Sequence, residues 1–176
     1  SRMTVERYFD VLNDTLIGTW LPAWRPKAKV KEASSPKFYL FDPGVARAIS
    51  GLLNRSPSAE ERGSLFETLL FSELRAFLQD MRPAGNISYW RTPSGSEVDF
   101  IVDLGDRVIG VEAGSSDRFR REDVKPLREL RASGFVHDAV VVYGGEADQW
   151  DGDIRVLTMG SFARWLRTEA ATPRRS

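Results

Sequence analysis

The stretch that most constrains this chain runs from Gly95 to Ser115, G-S-E-V-D-F-I-V-D-L-G-D-R-V-I-G-V-E-A-G-S. Alternating apolar residues flank Gly105-Asp106: Val98, Phe100 and Val102 before it, then Val108, with Ile109 and Val111 one step out of phase. Gly at the first central position suits a two-residue hairpin turn. Leu104 then faces Arg107, and counting outward along both strands sets Asp99 opposite Glu112. Their Cβ atoms would lie roughly 5 Å apart on one face. Facing carboxylates repel and Asp is a poor strand former, so this arrangement calls for a purpose. A divalent cation would turn the repulsion into attraction. A solvated hairpin face, its carboxylates diverging into water, would carry the same pattern.

With 176 residues, 41% hydrophobic and 28% charged, the chain can bury a real core, either as one moderate domain or as a module of something larger. Its apolar runs fall well short of the roughly 20 residues that a membrane span needs. No basic-then-apolar signal segment opens it, so the expectation is a cytoplasmic protein without membrane association. There is no Cys, which excludes disulfides, thiolate zinc sites and Cys nucleophiles. His137 is the single histidine, excluding most zinc hydrolase sites and Ser-His-Asp triads. Carboxylates, Lys and Arg remain. The 25 basic and 25 acidic residues balance, so nucleic-acid binding would require a local patch.

The chain opens inside a helical pattern, with Val5, Tyr8, Phe9, Leu12 and Leu16 on one stripe. Nothing precedes that stripe to pack on it, which reads as a fragment of a longer protein. Lys27, Lys29 and Lys31 then recur at period two, a basic ridge on an extended ribbon. Such a ridge could meet phosphates, and it equally resembles a Lys-protected edge strand. Residues 37–41 read as a strand. Asp42 caps a helix with Pro43 at its first position and Val45, Ala46, Ile49, Leu52 and Leu53 as its buried stripe. These pieces are compatible with part of a winged-helix unit over residues 1–53. The polar stretch 54–63 is the best linker.

The longest helix is predicted at 64–81. Its apolar arc holds Phe66, Leu69, Leu70, Phe71, Leu74, Phe77, Leu78 and Met81, with Thr68, Ser72, Arg75 and Gln79 opposite. Glu67 and Glu73 fall inside that arc, where a carboxylate is costly unless paired or metal-bound; Glu73 sits nearer its edge. Strands follow at 87–91 and in the hairpin, then a basic helix at 121–132 ended by Gly134. V-H-D-A-V-V-V-Y at 136–143 reads as a strand buried on both faces, a parallel crossover partner. A strand near 154–159 and a helix marked by Phe162, Trp165 and Leu166 close the pattern. His137 reads as structural, and Trp20, Trp24, Trp90 and Trp165 as packing residues.

G-S-L-F-E at 63–67, Y-W-R-T-P-S-G-S-E-V-D-F at 89–100 and V-E-A-G-S-S at 111–116 resemble the C-terminal module of prokaryotic AAA-type ATPases, the domain-of-unknown-function family 4143. R-Y-F-D-V-L-N-D-T at 7–15 and S-P-K-F-Y-L-F-D-P-G-V-A-R-A at 35–48 resemble the segment that links the ATPase to it. The resemblance implies a PD-(D/E)XK nuclease-like domain at 62–169: an α/β, restriction-endonuclease-like mixed sheet flanked by helices. It further implies Mg²⁺ held by Glu67, Asp99 and Glu112 as metal ligands and catalytic residues, an N-terminal ATPase part as partner, and DNA as substrate class. The E-x-K lysine that orients or activates water falls on Gly114, which can supply neither charge nor a proton-transfer group. Arg91, Arg118 or Lys125 could stand in, though Arg is a poor proton acceptor. No G-x-x-x-x-G-K-[ST] occurs, so ATP binding is not expected of this stretch.

Two readings follow from these residues. In one, Gly114 leaves a catalytically impaired module that binds DNA or a partner, with Lys27, Lys29, Lys31 and Arg91 as nucleic-acid contacts and Mg²⁺ held weakly or not at all. In the other, the three carboxylates sustain a Mg²⁺-dependent DNA phosphodiesterase.

Overall fold

The computed structural model describes residues 2–25 and 35–172. Lys27, Lys29 and Lys31 lie outside the described residues. Helix α1 (Arg2–Asp14) leads into β1 (Gly18–Leu21) and β2 (Lys37–Leu40), which pair antiparallel with Gly18 opposite Leu40. Phe9 of α1 packs on Trp20 and Phe38, ring centroids 5.5 and 4.7 Å away, while Val5, Tyr8 and Val11 stay exposed.

Helix α2 (Pro43–Ile49) starts as expected: the Asp42 carboxylate accepts from the Val45 N–H at 3.0 Å, and Pro43 fills the first turn. Its expected apolar stripe is not buried. No α2 residue is buried, and Ile49 and Leu53 are mostly exposed, because polar contacts such as Arg47 to Glu61 at 2.9 Å tie this short helix down.

Helix α3 (Ala59–Met81) begins five residues earlier than the apolar pattern indicates. Ser58 Oγ accepts from the Glu61 N–H at 3.1 Å, and Glu60 and Glu61 favour the first turn, so half of the expected linker is helical. The buried arc is Thr68, Leu70, Phe71, Leu74, Phe77 and Leu78. Leu69 and Met81 are exposed, so the arc is turned toward Thr68, whose hydroxyl donates to the Ser64 carbonyl at 2.8 Å.

A six-stranded mixed sheet follows: β3 (Asn86–Arg91), β4 (Glu97–Asp103), β5 (Val108–Gly114), β6 (Asp138–Tyr143), β7 (Gln149–Asp151) and β8 (Ile154–Thr158). The order across it is β3-β4-β5-β6-β8-β7; β5, β6 and β8 run parallel and the remaining pairings are antiparallel. A 3-10 turn at Arg121–Val124 leads into α4 (Lys125–Ala132), which makes the expected crossover from β5 to β6. The three-residue β7, whose Trp150 is exposed, carried too short a pattern to be read.

Helix α5 (Met159–Trp165) and α3 cover one face of the sheet, where Leu70, Phe71, Phe100, Val111, Phe162 and Trp165 share a core. The 3-10 turn and helix α4 cover the other with Val124, Leu127 and Leu130 against Ile101, Val136 and Val141. Leu21 and Tyr39 of the β1–β2 ribbon join the first core, and Ala23 bridges to Tyr89 at the sheet edge. The expected tryptophans do pack: Trp24 meets Phe135 edge-on, Trp90 lies against the second core and Trp165 is buried. His137 is structural, its Nδ1 accepting from the Val108 N–H at 2.9 Å.

Candidate carboxylate and lysine site

The hairpin forms in the expected register. Phe100 faces Val111, Asp103 faces Val108, and the Leu104 N–H donates to the Arg107 carbonyl at 2.8 Å across the turn. Gly105 has φ +85°, which a glycine adopts without strain. Continued outward, this register sets Asp99 opposite Glu112, but the ladder ends one pair short of them. On the other side of β4 the pairing with β3 slips: Ser88 faces Ile101 and Trp90 faces Val98, so Asp99 and Phe100 share the single partner position of Tyr89. Such a bulge bends the strand and re-aims a side chain. Asp99 turns into the fork between β4 and β5, where its Oδ2 accepts from the Ala113 N–H at 2.9 Å. The flat face-to-face pair of an unbulged hairpin is thereby replaced by two carboxylates at a fork.

Lys37, the first residue of β2, reaches into this fork. Its Nζ lies 2.5 Å from Glu97, 3.2 Å from Glu67 and 3.9 Å from Asp99, and 5.3 Å from the centroid of the Tyr89 ring. Tyr39, two residues along the same strand, donates its hydroxyl to Glu67. Glu67 of α3 therefore carries two donors, both from β2. Arg91 of β3 approaches the other oxygen of Glu97 at 3.5 Å and is half exposed.

The charges act on one another in a partly buried setting. Burial pushes the Asp99 carboxyl up, to about 6, aided by the Glu67 charge and opposed by the Ala113 N–H and Lys37. Burial and the Asp99 charge push Glu112 up to about 9. Its Oε2 is buried without a hydrogen-bond partner. The two behave as a dyad that retains a proton at neutral pH. Burial disfavours the charged Lys37, but Glu97, Glu67 and Asp99 outweigh it and its pKa is raised, so the ammonium stays protonated. Burial and Glu67 likewise hold Tyr39 well above its ordinary value.

Asp99 and Glu112 offer the hard oxygen donors that a divalent cation prefers, and Glu112 Oε2 is buried with no hydrogen-bond partner that a cation would have to displace. Glu67 is engaged by Tyr39 and Lys37 instead. Among the described residues, no group of three or more acidic or histidine side chains surrounds a common point able to hold a metal. The fit is thus to two carboxylates, with Lys37 as the resident cation beside them.

Gly114, at the end of β5, brings no side chain. Of the stand-ins considered for it, Arg91 reaches Glu97, Arg118 lines a cavity with Glu112, and Lys125 turns away to Glu129 at 4.0 Å. Glu73 is partly exposed, with Arg167 at 3.9 Å, and lies outside the site. Lys37, Glu97 and Tyr39 were not anticipated. A signal existed: at period two Lys37 shares a strand face with Tyr39, and an aromatic facing the core brings its neighbour with it.

These features define an α/β module that gathers three carboxylates around one lysine at the bulged end of a mixed sheet. The chain belongs to the domain-of-unknown-function family DUF4143, matched over residues 62–162. Residues 1–56 match a second domain of unknown function, DUF8612. The uncharacterized proteins Mb2031c of Mycobacterium bovis and Rv2008c of Mycobacterium tuberculosis are each 30% identical over 117 residues, covering 64% of this chain and 25% of the relative. The matched stretch is therefore about a quarter of the length of those relatives. No helix among the described residues is long and apolar enough to cross a membrane.

Proposed function

We propose that this chain is a PD-(D/E)XK-type nuclease-like module, the C-terminal part of a cytoplasmic AAA-type ATPase, and that it cleaves nucleic-acid phosphodiesters with a divalent cation. The observation that carries the reading is Lys37: its ammonium lies within 4 Å of Glu67, Glu97 and Asp99, restoring from β2 the charge that Gly114 cannot supply. Asp99 and Glu112 would hold Mg²⁺, which when bound lowers the pKa of water and offsets phosphate charge. Lys37, protonated, does not take a proton from water; it neutralises charge developing on a phosphoryl oxygen beside Asp99. Glu67 and Tyr39 hold that ammonium in place.

Plasmid or oligonucleotide cleavage with Mg²⁺ or Mn²⁺, together with calorimetric Mn²⁺ titration, tests this. Asp99→Ala should lose both metal binding and cleavage. Lys37→Met should lower cleavage about 10²-fold while Mn²⁺ still binds, and adding Gly114→Lys to it should recover part of the loss. An unaltered chain that binds Mn²⁺ but cleaves nothing overturns this reading in favour of the second: a catalytically silent module that binds DNA or a partner for the ATPase. Gly114 and the two-carboxylate fit favour that second reading. There Lys27, Lys29, Lys31 and Arg91 would contact nucleic acid through the winged-helix-like segment 1–53 and the rim of the domain at 62–169.

A further inference from the structure

Glycines Gly110 and Gly114 share one side of β5, four residues apart, and meet opposite surroundings. A Cβ on Gly110 would lie 2.7 Å from Leu127 and 3.3 Å from Val136, under α4. A Cβ on Gly114 meets nothing nearer than 3.9 Å. Helix α4 does not extend over this end of the strand, and a cavity of about 310 Å³ opens there, lined by Glu112, Gly114, Arg118, Phe119, Arg120 and Tyr143 among others. Gly114 and Tyr143 are the last residues of the parallel strands β5 and β6. The crevice outside the carboxyl ends of parallel strands is where open α/β sheets bind ligands. The volume is at the lower end of the roughly 300–1,000 Å³ of small-molecule sites.

The rim is already in place. The Gly144 N–H donates to the carbonyls of both Gly114 and Ser116, at 3.0 Å each, pinning the loop that carries the two arginines. Neither Arg118 nor Arg120 forms an ion pair with a described residue. Two exposed guanidinium forks on this rim match a phosphate with several exposed oxygens. Glu112 also lines the cavity, and its Oε2, buried beneath that wall, has no hydrogen-bond partner to give up on turning to a ligand's hydroxyl or amino group. Phe119 supplies an apolar wall between the arginines.

We propose that this cavity is a binding site for the phosphate monoester of a nucleotide, with Arg118 and Arg120 on the phosphate and Glu112 on a sugar or base donor. This goes beyond the cleavage reading and needs neither metal nor hydrolysis. The phosphate can belong to a free nucleotide or to a strand end. Either source has the same chemistry.

The test is calorimetric or NMR titration of the unaltered chain in EDTA with a 5′-mononucleotide, a 5′-phosphorylated tetranucleotide and its 5′-hydroxyl counterpart. The mononucleotide, the phosphorylated tetranucleotide or both should bind, and the hydroxyl form at least about tenfold more weakly. Arg118→Ala/Arg120→Ala should weaken binding at least about tenfold, and Gly114→Leu, which fills the cavity, should abolish it. Binding of the mononucleotide alone assigns the site to free nucleotides; binding of the tetranucleotide assigns it to strand ends. Equal binding of the phosphorylated and hydroxyl strands, or indifference to the surface pair Arg118/Arg120, overturns the proposal. Because EDTA removes divalent ions, failure of metal-dependent cleavage leaves this result untouched.

Discussion

At the scale of single residues, the site turns on Lys37, thirty positions before Glu67. Inspecting position 114 shows a loss; only the arrangement of β2 over the fork shows where a compensating charge lies. The dyad carries a testable consequence. Glu112 is held well above its ordinary value of 4.5, so the fold prefers its neutral form. The stability this contributes is fully present below about pH 4.5 and is lost as the pH climbs toward 9. Glu112→Gln removes the titration. Its unfolding free energy, from denaturant titration, should exceed that of the parent by a margin growing between pH 5 and 9, on the order of 3 kcal/mol at pH 7. A margin that stays flat across that range would show that Glu112 titrates normally.

At the scale of elements, the hairpin was legible because both its determinants are local: a turn glycine and period-two apolar residues set the register. The bulge was not, because it depends on how β3 pairs with β4, across the Thr92–Ser96 turn. Helix α3 was read from its apolar arc alone, so its polar first turn, capped by Ser58, was mistaken for linker. Helix α2 shows the converse, a plausible apolar stripe of which the fold fully buries no residue. The two β5 glycines give a paired prediction. Gly110→Ala should destabilise by about 1–3 kcal/mol, as overpacking against Leu127 and Val136, whereas Gly114→Ala should cost less than about 0.5 kcal/mol. Denaturant midpoints measure both. Equal costs would mean that α4 yields at Gly110 or that the cavity closes at Gly114.

At the scale of the molecule, the β1–β2 ribbon and the sheet domain share one core. Leu21 and Tyr39 are buried against Phe71 and Phe100, with Tyr39 centroids 4.6 and 5.8 Å from those rings. A truncated chain spanning 58–172 exposes that surface. At about 1.5–3 kcal/mol for each side chain lost from the core, it should melt at least about 6 °C lower. Calorimetry reads this directly, and an unchanged melting temperature would show the ribbon to be energetically separate. The sequence by itself determined what depends on near neighbours: the hairpin register, the Asp42 cap, the doubly buried β6 and the crossover helix before it. Tertiary structure alone decided that a bulge turns Asp99 into a fork, that Lys37 enters from another segment to lie among the acids, and that α4 leaves Gly114 over an open cavity. Such facts arise from contacts between residues far apart in the chain, whose strength depends on burial and mutual distance, and neither quantity is carried by spacing along the sequence.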